Sequence, residues 1–236
     1  MIERAVAAGL ERLLVPGWDE ASSEAALELA ATHPGLIQAT VGIHPHHAAE
    51  ADEPTWERIA ALAVGAGCVA VGEIGLDHFR NLSPPAVQAE AFARQLDLAE
   101  RLGKPVIVHD RDAHPHIEAS LRAWTGLAGS RFRGVLHAFS GDAAMATRLA
   151  ESGFLVSFAL PVSFRSASGP REAASALTPD RILVETDAPY LGPGPERRNE
   201  PTTVLRVAAE LARLRDTSPE AVARNARTAY EGLIIA

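Results

Sequence analysis

Four residues of this chain stand where a carboxylate or an imidazole could do metal chemistry: Glu73 in VAVGEIGLD, His109 in KPVIVHDRDA, His137 in GVLHAFSG and Asp187 in ILVETDAPYL. Each follows a short apolar, β-branched run, so each is expected at the C-terminal end of a strand. In a parallel barrel those ends meet on one rim, and residues far apart in sequence converge. Imidazole and carboxylate donors together suit one or two divalent ions such as Mg, Mn or Zn. A lone strand-end histidine more often makes a structural hydrogen bond, and strand-end acids often cap the next helix. Four such residues on one rim favour metal binding. Arg111, two residues past His109, is placed to meet an anionic group, with a salt bridge to Asp112 or Asp77 as the alternative. His114 and His116 open a helix, where His114 could face the cleft and contact substrate.

These residues need a scaffold of alternating strands and helices. Strands are expected at Arg12 to Val15, Ile37 to Ile43, Cys68 to Ile74, Pro105 to Val108, Gly134 to Leu136, Leu155 to Leu160 and Arg181 to Glu185. Between them, helical apolar spacing covers Glu20 to Thr32, Thr55 to Val64, Pro85 to Leu102, His114 to Leu127, Ala143 to Glu151 and Pro170 to Leu177. Two more helices, Pro201 to Leu214 and Ser218 to Leu233, follow the last strand. The repeated unit, with polar chemistry at every strand end, points to an α/β fold of the TIM-type (β/α) barrel, seven strands visible, spanning 1–236 as one domain. No G-x-G-x-x-G follows the first strand, so a dinucleotide fold lacks support. The segment Gly192 to Pro201 is too polar and proline-rich for regular structure.

Composition narrows the function classes. A length of 236 residues, with 47% hydrophobic and 22% charged, is that of an ordinary globular domain. No apolar run reaches the ~18 residues of a membrane span, and the N-terminus lacks signal-peptide features, so a cytoplasmic protein with no membrane partner is expected. The net charge of −8 lacks the basic character of a protein that grips long nucleic acid through its phosphates. A phosphoester would need local capture by metal ions and a few arginines. The single cysteine, Cys68, reads as a core residue. A monomer or small homo-oligomer is expected.

The motifs VGIHPHHA, VGEIGLD, KPVIVHDRDA, LHAFSG, ETDAPYL and NEP, in this order, resemble those of the TatD-type deoxyribonucleases of the amidohydrolase-like barrel superfamily. The resemblance spans essentially the whole chain. It implies that Glu73 bridges two metals, that His109 and His137 complete one metal site, and that Asp187 holds the attacking water and acts as general base. It also implies that His44 and His46 contact substrate phosphate, that Asn199 and Glu200 brace the rim loop, and that Tyr190 and Leu191 form pocket wall. His33 and His78 read as surface residues. The implied activity is hydrolysis of phosphodiester bonds at nucleic acid ends by a metal-activated water, with ester hydrolysis on aminoacyl-tRNA as the alternative. One departure stands out. Family members begin with a strand ending in His-x-His, whose histidines serve the other metal site. Here Ile2 to Ala8 reads as a helix stopped by Gly9, and the expected first of eight strands is missing. A start upstream of Met1, or an impaired metal-binding barrel, is the corresponding expectation.

Overall fold

The computed structural model describes residues 1–192, 194 and 198–234. Its elements run α1 (Ile2–Ala7), β1 (Leu13–Pro16), α2 (Glu20–Thr32), β2 (Ile37–Val41), α3 (Glu53–Val64), β3 (Cys68–Asp77), α4 (Pro85–Leu102) and β4 (Val106–Arg111). They continue with α5 (His114–Ala123), β5 (Gly134–Leu136), α6 (Ala143–Glu151), β6 (Phe154–Phe158), α7 (Ser168–Ala176), β7 (Ile182–Val184), α8 (Val204–Leu214) and α9 (Pro219–Ile234). Seven strands lie among the described residues, ordered in the sheet as in the sequence. The β1–β2, β2–β3, β3–β4 and β6–β7 pairs are parallel. Sequential parallel strands, each followed by a helix, are the topology expected from the sequence. No described helix is long and apolar enough to cross a membrane.

Two compact units carry these elements, Arg12–Val135 and Met1–Glu11 with Leu136–Ala236. In the first, Val41, Ile43, Ile59, Ala63, Cys68 and Leu98 pack as a core cluster. Cys68 is buried there as a free thiol, as its apolar surroundings suggested, and burial pushes its pKa up. In the second, every residue of β6 is buried, and α8 buries Val207, Ala208, Leu211 and Ala212 on one face. Local signals fix the helix ends. Asp19 and Ser22 form a reciprocal capping box on α2, Asp52 caps α3, and Gly103 ends α4 at φ 59.

Several ends differ from the sequence expectation, for tertiary reasons. Helix α5 stops at Ala123 instead of Leu127, because Trp124 turns extended and donates its indole N–H to the Leu96 carbonyl at 3.1 Å. The segment Pro201–Thr203 is a 3-10 turn ahead of α8. Of the expected irregular segment Gly192 to Pro201, residues 193 and 195–197 lie outside the described residues. Strand β2 stops at Val41, two residues short, while β3 runs on to Asp77, three residues beyond Ile74.

Both of those strand ends are held by glutamines on one face of α4. Gln95, 1% exposed, accepts from the Ile43 N–H at 2.7 Å and donates to the Ile43 carbonyl at 3.0 Å. Gln88, fully buried and two turns earlier, does the same for Asp77, with 2.8 Å from its N–H and 3.1 Å to its carbonyl. Each amide thus offers a strand-end residue one acceptor and one donor, as a neighbouring strand would. Leaving a buried polar group unpaired costs about 1–3 kcal/mol. Gln95→Leu keeps the volume and removes both partners of Ile43, so it should lower unfolding stability by about 2–4 kcal/mol in urea titration. A loss below about 0.5 kcal/mol would show that the Ile43 backbone finds other partners.

Candidate metal centre at the strand ends

Glu73 owes its position to the glycines around it. The β3–β4 register shifts between Val71 and Ile74, the signature of a bulge, and Glu73 lies inside it. A Cβ on Gly72 would fall 2.6 Å from Ile107 Cβ, and one on Gly42 would fall 2.9 Å from the Gly72 carbonyl carbon. Gly75, at φ +137, lies so close to β4 that a Cβ would sit 2.0 Å from the His109 carbonyl oxygen. The backbone groups freed by the bulge find other partners: the Glu73 N–H donates to the Gly17 carbonyl at 2.7 Å, and Thr40 Oγ1 donates to the Gly72 carbonyl at 2.6 Å. The Gly72–Glu73 peptide is cis.

Two histidines gather around this carboxylate. His109, on β4, places Nδ1 2.9 Å from Glu73 Oε1, and His44, past the end of β2, places Nε2 3.4 Å from the same oxygen. Ligand atoms of His44, Glu73 and His109 all lie within 4.8 Å of one another. Trp18, past β1, accepts the His44 N–H on its carbonyl at 2.9 Å, so β1 and β2 jointly set that histidine.

Asp77 orders the second layer. It is 3% exposed, and its Oδ2 lies 2.7 Å from His46 Nε2 and 3.4 Å from His109 Nε2. Burial by itself would raise this carboxyl; hydrogen bonds from His109, the Arg80 N–H and His46 outweigh it and hold the group well below the usual carboxylate range. A proton on His109 Nε2, facing Asp77, leaves the Nδ1 lone pair toward Glu73, the arrangement by which an outer carboxylate orients a metal-binding imidazole. His44 differs. Its Nδ1 already accepts the His46 N–H at 3.1 Å, which puts the proton of the neutral ring on Nε2. Burial pushes its pKa down to about 4, against the opposing pull of Glu73, so the ring is neutral near pH 7. His44 therefore faces Glu73 as an N–H donor, and the donor chemistry of Glu73 and His109 fits a divalent ion better than that of His44.

Other residues singled out in the sequence fall as follows. Arg111 is the last residue of β4, with its guanidinium over the Phe79 ring at 4.9 Å, and Asp77, its alternative partner, is engaged by His46 and His109. His114 pairs through Nδ1 with Asp110 at 2.8 Å, and His116 meets the His78 ring edge-on. His47 pairs with Glu50 at 2.9 Å. In the unit holding 136–236, His137 Nδ1 lies 3.3 Å from Glu185 Oε1, and that carboxylate also accepts the Ala138 N–H. Asp187 follows β7 in a left-handed turn at φ 57, which an aspartate tolerates. Asn199, fully buried, donates to the Thr186 and Tyr190 carbonyls at 2.6 Å each, bracing that turn. Tyr190 and Leu191 follow on that turn and are 70% and 39% exposed. Sequence reasoning passed over Glu185, Gln88 and Gln95, and took Asp77 only as an alternative partner for Arg111. Asp77 carried a signal, as the only carboxylate of VGEIGLD besides Glu73.

Known proteins place this geometry. The family model described as TatD related DNase matches residues 1–234. A 3'-5' ssDNA/RNA exonuclease TatD of Erwinia billingiae is 38% identical over 232 residues, covering 95% of this chain and 87% of that protein. A metal-dependent hydrolase of Bacillus subtilis, YabD, is 36% identical over 225 residues, covering 94% and 87%. The crystal structure of YJJV, a TatD homologue from Escherichia coli, superposes with a TM-score of 0.91 at 29% identity, covering 99% of this chain and 90% of that one. With the seven-stranded parallel α/β topology and the Glu73–His109 donor pair, these matches show that the chain belongs to the TatD related DNase family of metal-dependent hydrolases.

Proposed function

We propose that the chain, acting as one barrel domain over 1–236, hydrolyses phosphodiester bonds at the ends of single-stranded nucleic acid. The observation that carries this reading is the Glu73 carboxylate set between His109 and His44 at the strand ends. The relative named as an ssDNA/RNA exonuclease supports the substrate class. Glu73 and His109 are the proposed ligands of a divalent ion, with His137 and Asp187 as further ligands. Such an ion, when bound, supplies Lewis-acid polarisation of a phosphoryl oxygen and acidification of water.

The chain's own groups do the remaining work. Asp187 is the proposed acceptor of the proton from the attacking water. His44, held neutral by burial, offers Nε2–H to a phosphate oxygen. Arg111 supplies a fixed positive charge at the end of β4, and His46 and His114, each oriented by a carboxylate, line the same strand ends. Local capture of this kind lets a chain of net charge −8 bind a polyanion at its end without a basic surface.

The direct test is a 5'-labelled single-stranded oligonucleotide incubated with Mg²⁺ or Mn²⁺. Stepwise release of mononucleotides, abolished by EDTA, is the expected result. Release of free amino acid from aminoacyl-tRNA without nucleotide release would replace the substrate. Asp187→Asn should lower kcat/KM by several orders of magnitude with the melting curve unchanged, since it removes a base and a ligand but little volume. Activity within about tenfold of the parent would take Asp187 out of the mechanism. Glu73→Gln should reduce the Mn²⁺ retained per chain after dialysis, whereas unchanged retention would place the ion elsewhere.

A further inference from the structure

Two residues beyond Asp77, a large apolar side chain is held out in solvent. Phe79 is 62% exposed, and Arg111, at the end of β4, lies over its ring with Cζ 4.9 Å from the centroid. A lone exposed aromatic is ordinary on a protein surface. This one is tied down. Asp77 Oδ1 accepts the N–H groups of Phe79 and Arg80 at 2.9 and 2.7 Å, and the His78 N–H donates to the Arg111 carbonyl at 2.8 Å. Through its other oxygen the same carboxylate takes His46 and His109. One buried acid therefore fixes His46, His109 beside Glu73, and the turn that presents Phe79.

An aromatic ring backed by arginine is the combination on which single-stranded nucleic acid stacks, because every base has a π face and the cation draws the neighbouring phosphate. Local charge agrees: Arg111 lies over the ring and the exposed Arg80 is the next residue in the chain, while Asp77 and Asp110 are engaged with histidines. We propose that Phe79, together with Arg111, forms the platform on which a nucleobase next to the cleaved end of the strand stacks. The inference rests on the nuclease reading above and names the feature that makes it prefer an unpaired strand. A base in a duplex already has its faces covered by its neighbours; a frayed or single-stranded end does not.

The test compares the parent, Phe79→Ala and Phe79→Tyr. Binding of a fluorescein-labelled, phosphorothioate-linked oligo-dT eight-mer is read by anisotropy with Mg²⁺ present, and KM and kcat are read on the ordinary phosphodiester strand. Phe79→Ala should weaken binding about tenfold and raise KM by a similar factor, with kcat changed far less. Phe79→Tyr, which keeps the ring, should stay within about twofold of the parent. Equal melting temperatures would exclude a folding effect. Binding by Phe79→Ala within about twofold of the parent, or a Phe79→Tyr variant as weak as Phe79→Ala, overturns the platform while parental cleavage keeps the nuclease reading. A parent that neither binds nor cleaves the strand overturns both.

Discussion

Side chains aimed outward at the end of a sheet leave backbone groups that no adjacent strand can satisfy, and the placement of His44, Glu73 and Asp77 depends on where those groups find partners. Glu73 sits in a bulge whose N–H goes to the Gly17 carbonyl and whose preceding carbonyl takes the Thr40 hydroxyl. Ile43, directly before His44, is paired by Gln95, and Asp77 is paired by Gln88. Each of these groups, left unpaired in a buried place, would cost about 1–3 kcal/mol, a large part of the ~5–15 kcal/mol that holds a domain folded. The glycines belong to the same constraint. Gly42, Gly72 and Gly75 let three backbones approach more closely than a Cβ allows, so the bulge can form at all.

The electrostatics follow from that placement. Asp77 is the common partner of His46, His109 and the Arg80 N–H. With its proton on Nε2, toward Asp77, His109 would present a lone pair on the Glu73 side, the form a metal binds. His44 is ordered the other way: a backbone N–H occupies its Nδ1, burial keeps it neutral, and it presents a proton. Two histidines beside one carboxylate thus take opposite roles, set by a backbone N–H at His44 and by the Asp77 carboxylate at His109.

Much of this was legible in the sequence. Strand and helix order, the burial of Cys68 and the bracing role of Asn199 follow from apolar periodicity and motif context, whereas Glu73 and His109, expected at strand ends, lie inside β3 and β4. Strand ends were not. That β2 stops at Val41 and β3 reaches Asp77 depends on two glutamines in α4, and apolar spacing marks that helix without marking what its amides pair with. Asp77 read as a partner for Arg111, yet the chain turns back through Phe79 and Arg80 onto it, and no periodicity encodes that closure.

The central claim is that Glu73 and His109 hold the ion while His44 stays outside as an N–H donor, and an anomalous difference map from a zinc-soaked crystal tests it most directly. The account predicts a peak about 2.0–2.2 Å from a Glu73 oxygen and from His109 Nδ1, with His44 Nδ1 still accepting the His46 N–H and its Nε2 outside bonding distance. A zinc that touches neither Glu73 nor His109, or one bonded to His44 Nε2 with the His46 N–H contact broken, would contradict it.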